Sequence, residues 1–186
     1  GQCSELALPG RHNVANFLAA TLLSHQAGAS LEASRQVGET FAGVPHRLEF
    51  VGEVNGMRFY NDSIATTPDR TMAALESFKE PLILIAGGSD KQLSYAELGH
   101  AIQGRVKHLI LLGTTAPKIR RAVEDAGGVL LDEVEDLGDA VALAYKIGAP
   151  GDVVLLSPAS ASFDQYPNFK ARGKHFRDLV ASLSKE

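Results

Sequence analysis

Apolar residues recur at helical spacing near the start of the chain. Val14, Phe17, Leu18, Thr21 and Leu22 share one face of the segment from Asn13 to His25, which predicts a helix. A second helix is expected from Leu31 to Phe41, with Ser30 as its N-cap. Gly43 and Pro45 then break the pattern. Beyond them the period shortens. The stretch LEFVGEVNGMRFYND, residues 48–62, alternates and contains Asn55-Gly56, a dipeptide suited to the type I′ turn of a hairpin. Pro68 fits the first turn of a helix capped by Thr67, which would carry Met72, Leu75 and Phe78 toward a core.

From about residue 80 onward, short apolar runs alternate with helical stretches. The runs are PLILIAGG (81–88), KHLILLG (107–113), GVLLD (128–132) and DVVLLSP (152–158). The first intervening helix should open on Ser94-Tyr95-Ala96-Glu97, a capping box. The next, APKIRRAVEDA, should end at Gly127-Gly128. LGDAVALAYKIG and a last segment from about Asn168 to Leu183 complete the set. Continuous apolar strands of this kind imply burial on both faces, and therefore a parallel sheet covered by helices on each side. The expected fold is α/β: a Rossmann-like, doubly wound, mostly parallel sheet opened by a β-hairpin. Residues 1–44 would form a short helical tail, too small to be a domain and irregular up to about residue 10, and residues 45–186 the α/β domain. Ligands of such sheets bind beyond the carboxyl ends of the strands.

Composition narrows the function. Of the 186 residues, 45% are hydrophobic and 22% charged, as in an ordinary globular protein. No run of about 18 apolar residues predicts a membrane span, and the start lacks a signal-peptide pattern. A net charge of −4 without a basic stretch argues against nucleic acid and anionic membranes as partners. The single cysteine, Cys3, allows neither an internal disulfide nor a multi-cysteine metal site, which fits a cytoplasmic protein. The chain opens on Gly1-Gln2-Cys3 rather than Met and reads as a piece of something longer.

Four polar segments should collect along the carboxyl rim. NDSIATTPDRT (61–71) crowds an amide, two carboxylates, four hydroxyls and a guanidinium onto one turn, more than a helix cap requires. AGGSDKQ (86–92) places Lys91 where an ammonium could meet an anion, or simply face solvent. LGTT (112–115) follows the next strand. SPASASFDQYPNFKARG (157–173) combines small residues and hydroxyls with Phe163, Tyr166 and Phe169, as a ligand-holding loop or as a long capped turn with core aromatics. Neither G-x-G-x-x-G nor G-x-x-x-x-G-K-[ST] occurs. Asn13 and Asn16 share a helix face; spacing alone makes them an N-cap and a surface amide. Arg47, in PHR, could by itself be any linker ion pair.

In order, LPGRHNVANFLAA, GVPHRLE, FYNDSIATTPDRTMAAL, LIAGGSDK and LLSPASASFDQYPNFKARGKHF resemble the second half of a Mur ligase, over nearly the whole chain. The match is best to the branch that adds D-glutamate to UDP-N-acetylmuramoyl-L-alanine in peptidoglycan synthesis. The family has three domains: one binds the UDP-sugar precursor, a central ATPase carries the P-loop, and a C-terminal Rossmann-like domain brings the amino acid. The resemblance makes residues 1–44 the end of the central domain and accounts for the missing P-loop and start Met. It implies ATP and Mg²⁺ as cofactors, the ion bound mainly by the central domain, and no metal site or catalytic residue within this chain. It assigns Asn13 and Asn16 to the adenine edge, Arg47 to the ATP phosphates and ribose, and Asp62 to ribose hydroxyls. It assigns Thr66, Lys91, Ser162 and Phe163 to D-glutamate, with Phe169 nearby. One position departs: many members carry lysine where this chain has Ile64, so that contact is either dispensable or supplied by another cation.

Other readings stay on the table. The diaminopimelate- or lysine-adding members carry a D-N-P-R motif that is absent here. The L-alanine-adding members have a histidine-rich turn in place of NDSIATTP, and folylpolyglutamate synthase lacks the SPASASFDQ loop. A small-ligand-binding module without catalysis is the alternative from another class. A Rossmann dehydrogenase is disfavoured by the missing glycine fingerprint.

Overall fold

The computed structural model describes residues 11–41 and 43–183, with backbone alone at 11 and 12. Residues 1–10, expected to be irregular and including Cys3, lie outside the described residues. Two helices come first, α1 (Arg11–Gln26) and α2 (Leu31–Thr40). The Ser30 hydroxyl accepts from the Ala33 N–H at 3.1 Å and caps α2 as expected; Phe41 is the C-cap rather than the last helical residue. The pair leaves Leu18, Leu22, Leu23 and Leu31 exposed, at 61% to 72% of their surface.

The hairpin follows as strands β1 (Glu49–Val54) and β2 (Met57–Asn61). Asn55 and Gly56 both have positive φ, 51° and 75°, which is what a type I′ turn demands. Helix α3 (Pro68–Leu75) comes next, and then β3 (Leu82–Gly87), α4 (Ala96–Arg105), β4 (Val106–Leu112) and α5 (Ala116–Asp125). The chain closes with β5 (Leu130–Glu133), α6 (Leu137–Ile147), β6 (Val153–Leu156) and α7 (Phe169–Leu183). The six strands form one sheet in the order β1-β2-β6-β3-β4-β5, parallel except for the β1–β2 hairpin.

Each central strand feeds two cores, because successive side chains point to opposite faces. Leu82, Leu84, Leu109, Leu111, Val153 and Leu155 pack under α3, α4 and α5. Ile83, Ile85, Ile110, Val154 and Leu156 pack under α6 and α7 with Phe176 and Val180. The sheet is therefore doubly wound. No helix among the described residues is long and apolar enough to cross a membrane.

Three local expectations need correction. β5 is not buried on both faces: Leu130 is 70% exposed and the strand's other residues are exposed or half-buried. It is the edge strand, because the chain returns from it to the far side of β3. The capping box at Ser94 does not form. Tyr95 occupies the N-cap position of α4, the Ser94 hydroxyl reaches only the Ala96 N–H, and the Tyr95 hydroxyl is held instead by buried Ser160 Oγ at 2.9 Å. Thr67 does precede α3, but its hydroxyl makes no cap bond; Pro68 removes one donor that would need it. Phe78 is buried just beyond the end of that short helix.

Candidate functional site

The parallel sheet winds in opposite directions from β3, to β4 on one side and back to β6 on the other. The crevice beyond β3 and β6 is thus the switch point where doubly wound folds hold ligands. The loops leaving these strands are joined there. The Ser89 N–H donates to the Ala161 carbonyl at 2.8 Å, and the Asp164 N–H donates to Ser89 Oγ at 2.6 Å. Such close approach needs glycine. Gly87 and Gly88 have φ of 119° and 144°, and a Cβ on either would overlap the carbonyl oxygen of Leu112 or of Ala161.

The turn after β2 joins the same rim through Arg172 of α7. This guanidinium is buried and makes four hydrogen bonds. Nε donates to Ser63 Oγ and NH2 to the Ser63 carbonyl, both at 3.0 Å. NH2 also reaches the Ser160 carbonyl at 3.1 Å, and NH1 the Ala161 carbonyl at 3.2 Å. Arg172 forms no salt bridge among the described residues. Burial lowers its pKa to about 10, against the attraction of Asp164 and Tyr166. Sequence reasoning missed this residue. A lone arginine in NFKARGKHF carries no spacing signal, since its acceptors are carbonyls of remote loops.

On this rim Lys91 extends toward the turn, with Nζ 3.5 Å from the Thr66 carbonyl. Ser162 is buried beside Ala161, and its carbonyl accepts from the Gln165 and Tyr166 N–H groups. Phe163 projects from the loop, 72% exposed. Phe169 is half-buried at the start of α7. Its carbonyl accepts from Ser63 Oγ at 2.8 Å, and its ring meets His46 edge-on at 5.9 Å. Thr66, Lys91, Ser162, Phe163 and Phe169 thus sit on linked segments of one edge.

Asp62 lies deeper. It is 4% exposed and accepts from Ser157 Oγ at 2.7 Å and from the Leu48 N–H at 3.2 Å. Ser157 Oγ lies 3.0 Å from Thr71 Oγ1, whose hydroxyl donates to the Ser157 carbonyl at 3.2 Å. Desolvation raises the Asp62 pKa to about 7; the hydrogen bonds and the fields of Arg47 and Arg70 oppose that rise. Asp62 lines a pocket of about 200 Å³ with Arg47, Leu48, Ile64, Ala65, Arg70 and helix α3.

Arg47 also borders a second, more apolar cleft of about 310 Å³ between the helical pair and the start of the hairpin. Phe17, Val37, Phe41 and Val44 are among its walls, and Asn13 and Asn16 both line it. Asn13 is buried and Asn16 exposed. Asn13, Asn16, Arg47 and Asp62 therefore border two adjoining hollows, with Arg47 common to both. An apolar slot edged by amides suits a flat heterocycle, and a hollow edged by a carboxylate and guanidiniums suits a sugar and anions. Arg47 is placed by a tight linker: His46 and Leu48 on either side have φ of 68° and 44°. The His46 ring Nδ1 lies 3.1 Å from Asn61 Nδ2, and the backbone N–H of His46 donates to the Glu49 carboxylate at 2.8 Å. Among the described residues no three His, Cys, Asp or Glu side chains are grouped to hold a metal ion.

Comparison with known proteins bears on the family and the fold. A family profile described as "Mur ligase, glutamate ligase domain" matches residues 46–160. UDP-N-acetylmuramoylalanine–D-glutamate ligase of Acetivibrio thermocellus is 47% identical over 189 residues, covering 98% of this chain and 40% of that protein. The same-named protein of Symbiobacterium thermophilum is 49% identical over 181 residues, covering 97% of the chain and 40% of the relative. The chain thus spans about 40% of the length of these relatives. Among solved structures, UDP-N-acetylmuramate–alanine ligase of Thermotoga maritima superposes with a TM-score of 0.69 at 22% identity, over 94% of this chain and 39% of that one. Folylpolyglutamate synthase of the same organism gives 0.62 at 20% identity, over 95% and 40%. At such identities the structural likeness speaks for the fold alone.

Proposed function

The chain belongs to the Mur ligase family, and on that premise we propose that it is the C-terminal part of an ATP-dependent ligase joining D-glutamate to UDP-N-acetylmuramoyl-L-alanine. Residues 1–44 then close a preceding ATPase domain, and residues 45–186 form the domain that presents the amino acid. The apolar surface of α1 and α2 supports that division, since it is a face shaped for burial.

In the reaction, the precursor's terminal carboxylate attacks the γ-phosphorus of ATP, giving an acyl phosphate and ADP. The D-glutamate amine adds to the acyl carbon. The tetrahedral intermediate expels inorganic phosphate, and the amine's proton is lost as the amide forms. A carboxylate is a poor electrophile until it is phosphorylated, so this domain contributes by positioning. Lys91 pairs with a D-glutamate carboxylate, Thr66 and Ser162 offer hydroxyls, and Phe163 and Phe169 flank the chain. Asn13 and Asn16 meet the adenine edge, Arg47 the phosphates and Asp62 the ribose. Mg²⁺, held mainly by the preceding ATPase domain, would neutralise phosphate charge. The substrates are small soluble metabolites, consistent with a cytoplasmic enzyme.

The observation that carries the reading is the meeting of Lys91 with Thr66 on the rim that also holds Ser162, one turn away from the Asp62 pocket. The test is turnover by the intact protein. Phosphate release should require both D-glutamate and UDP-N-acetylmuramoyl-L-alanine, and the product should gain one glutamyl residue by mass. Turnover with a different amino acid, and none with D-glutamate, contradicts it.

A further inference from the structure

We propose that Arg70 is a nucleotide-binding residue, gripping the phosphate chain together with Arg47 in the pocket edged by Asp62. The inference rests on the nucleotide reading above and adds to it a cation that nothing else assigns.

Arg70 stands in the first turn of α3, six residues after Ile64. Its NH1 donates to the Ile64 carbonyl at 3.2 Å, which folds the side chain back over the turn. There it lines the same hollow as Arg47, Asp62 and Ile64. Neither arginine forms an ion pair among the described residues, although Arg58, Arg120 and Arg177 each have a carboxylate within 3.0 Å. The nearby carboxylate does not satisfy them either: the Asp62 oxygens are engaged by Ser157 and the Leu48 N–H. Two guanidiniums without counter-ions at the mouth of one small pocket present a fork for a polyanion. Asp62 edges that hollow and feels both charges, but it forms a salt bridge with neither arginine among the described residues.

The position also bears on Ile64. An aliphatic side chain offers an anion nothing, yet the Ile64 carbonyl steers a cation from the following helix into the space beside it. Lys91 reaches the same turn two residues further on, through the Thr66 carbonyl. The turn is thus bracketed by two cations, Arg70 toward the Asp62 hollow and Lys91 toward the amino-acid rim.

The test uses the intact ligase carrying Arg70→Ala or Arg70→Lys. Binding of ADP and of adenosine is measured by competition against a fluorescent nucleotide, and KM is measured for ATP and for D-glutamate. A phosphate contact at an exposed guanidinium predicts ADP binding weaker by roughly 5- to 30-fold in Arg70→Ala, and a similar rise in the KM for ATP. Adenosine affinity and the KM for D-glutamate should be unchanged, and Arg70→Lys should recover only part of the loss, because an ammonium keeps the charge but not the fork. Equal losses for ADP and adenosine would make Arg70 a packing residue and overturn the proposal. A rise confined to the D-glutamate KM, or no change in any quantity, would overturn it as well. If the wild-type ligase proved not to turn over with D-glutamate, the functional reading would fall, while the comparison of ADP with adenosine would still decide the role of Arg70.

Discussion

Arg172 holds Ser63 twice, through the hydroxyl and through the carbonyl, each at 3.0 Å. The same guanidinium reaches Ser160 and Ala161, so one side chain of α7 ties the turn after β2 to the loop after β6. Removing it strands buried carbonyls, and an unsatisfied buried acceptor costs about 1–3 kcal/mol. Arg172→Ala should therefore lower unfolding stability by roughly 2–4 kcal/mol, read from urea denaturation. Arg172→Lys should recover little, because an ammonium cannot span three loop carbonyls and a hydroxyl in a plane. An unchanged midpoint in both variants contradicts this account.

Asp62 makes stability depend on pH. Its pKa is raised from 3.8 to about 7, so the folded state favours the protonated form. The penalty for ionising it is absent below the unfolded pKa, grows as pH climbs from about 4 to 7, and is complete above about 7. Asp62→Asn removes the titration, keeps the amide oxygen as acceptor for the Leu48 N–H, and turns its NH2 to donate to Ser157 Oγ. It should stabilise the chain by roughly 1–3 kcal/mol at pH 8 and by nearly nothing at pH 4. A gain of equal size at both pH values would mean that packing, not charge, is responsible.

The two sides of the turn should separate kinetically in the intact ligase. On the proposed function, Lys91→Ala removes a charge-assisted bond to a substrate carboxylate and should raise the KM for D-glutamate roughly 10- to 100-fold, with the KM for ATP little changed. Asp62→Ala should do the reverse. Steady-state kinetics in which Lys91→Ala leaves the amino-acid KM untouched, or Asp62→Ala leaves the ATP KM untouched, would remove the corresponding assignment.

Much of this was readable from the chain. The apolar runs around Leu84 and Ile110 announced buried parallel strands, Asn55-Gly56 announced the hairpin, and Ser30 its helix. The segments that hold Asp62, Thr66, Lys91 and Ser162 stand out by their place after apolar runs, and the family resemblance names the residues within them. What escaped depends on strand order and on long-range partners. GVLLD looks as buried as its neighbours, and only the return of the chain to the far side of β3 leaves Leu130 at an edge. Ser94 has the spacing of a cap, but the tether between Tyr95 and Ser160, 65 residues apart, sets how that helix begins. Arg172 carries no local signal, because its acceptors belong to other loops; Arg70 stands in the crowded turn after β2, but the sequence does not spell out the hollow it faces.

The seam formed by Gly87, Gly88 and Ala161 is backbone laid against backbone, with no room for a side chain. Its geometry therefore tolerates almost no inheritance of change, whereas Lys91, Phe163 and Phe169 stand clear of it. On the proposed function, a lineage descended from such a chain could exchange one amino-acid cargo for another by altering exposed side chains such as Lys91 and Phe163, leaving the frame that aligns them intact.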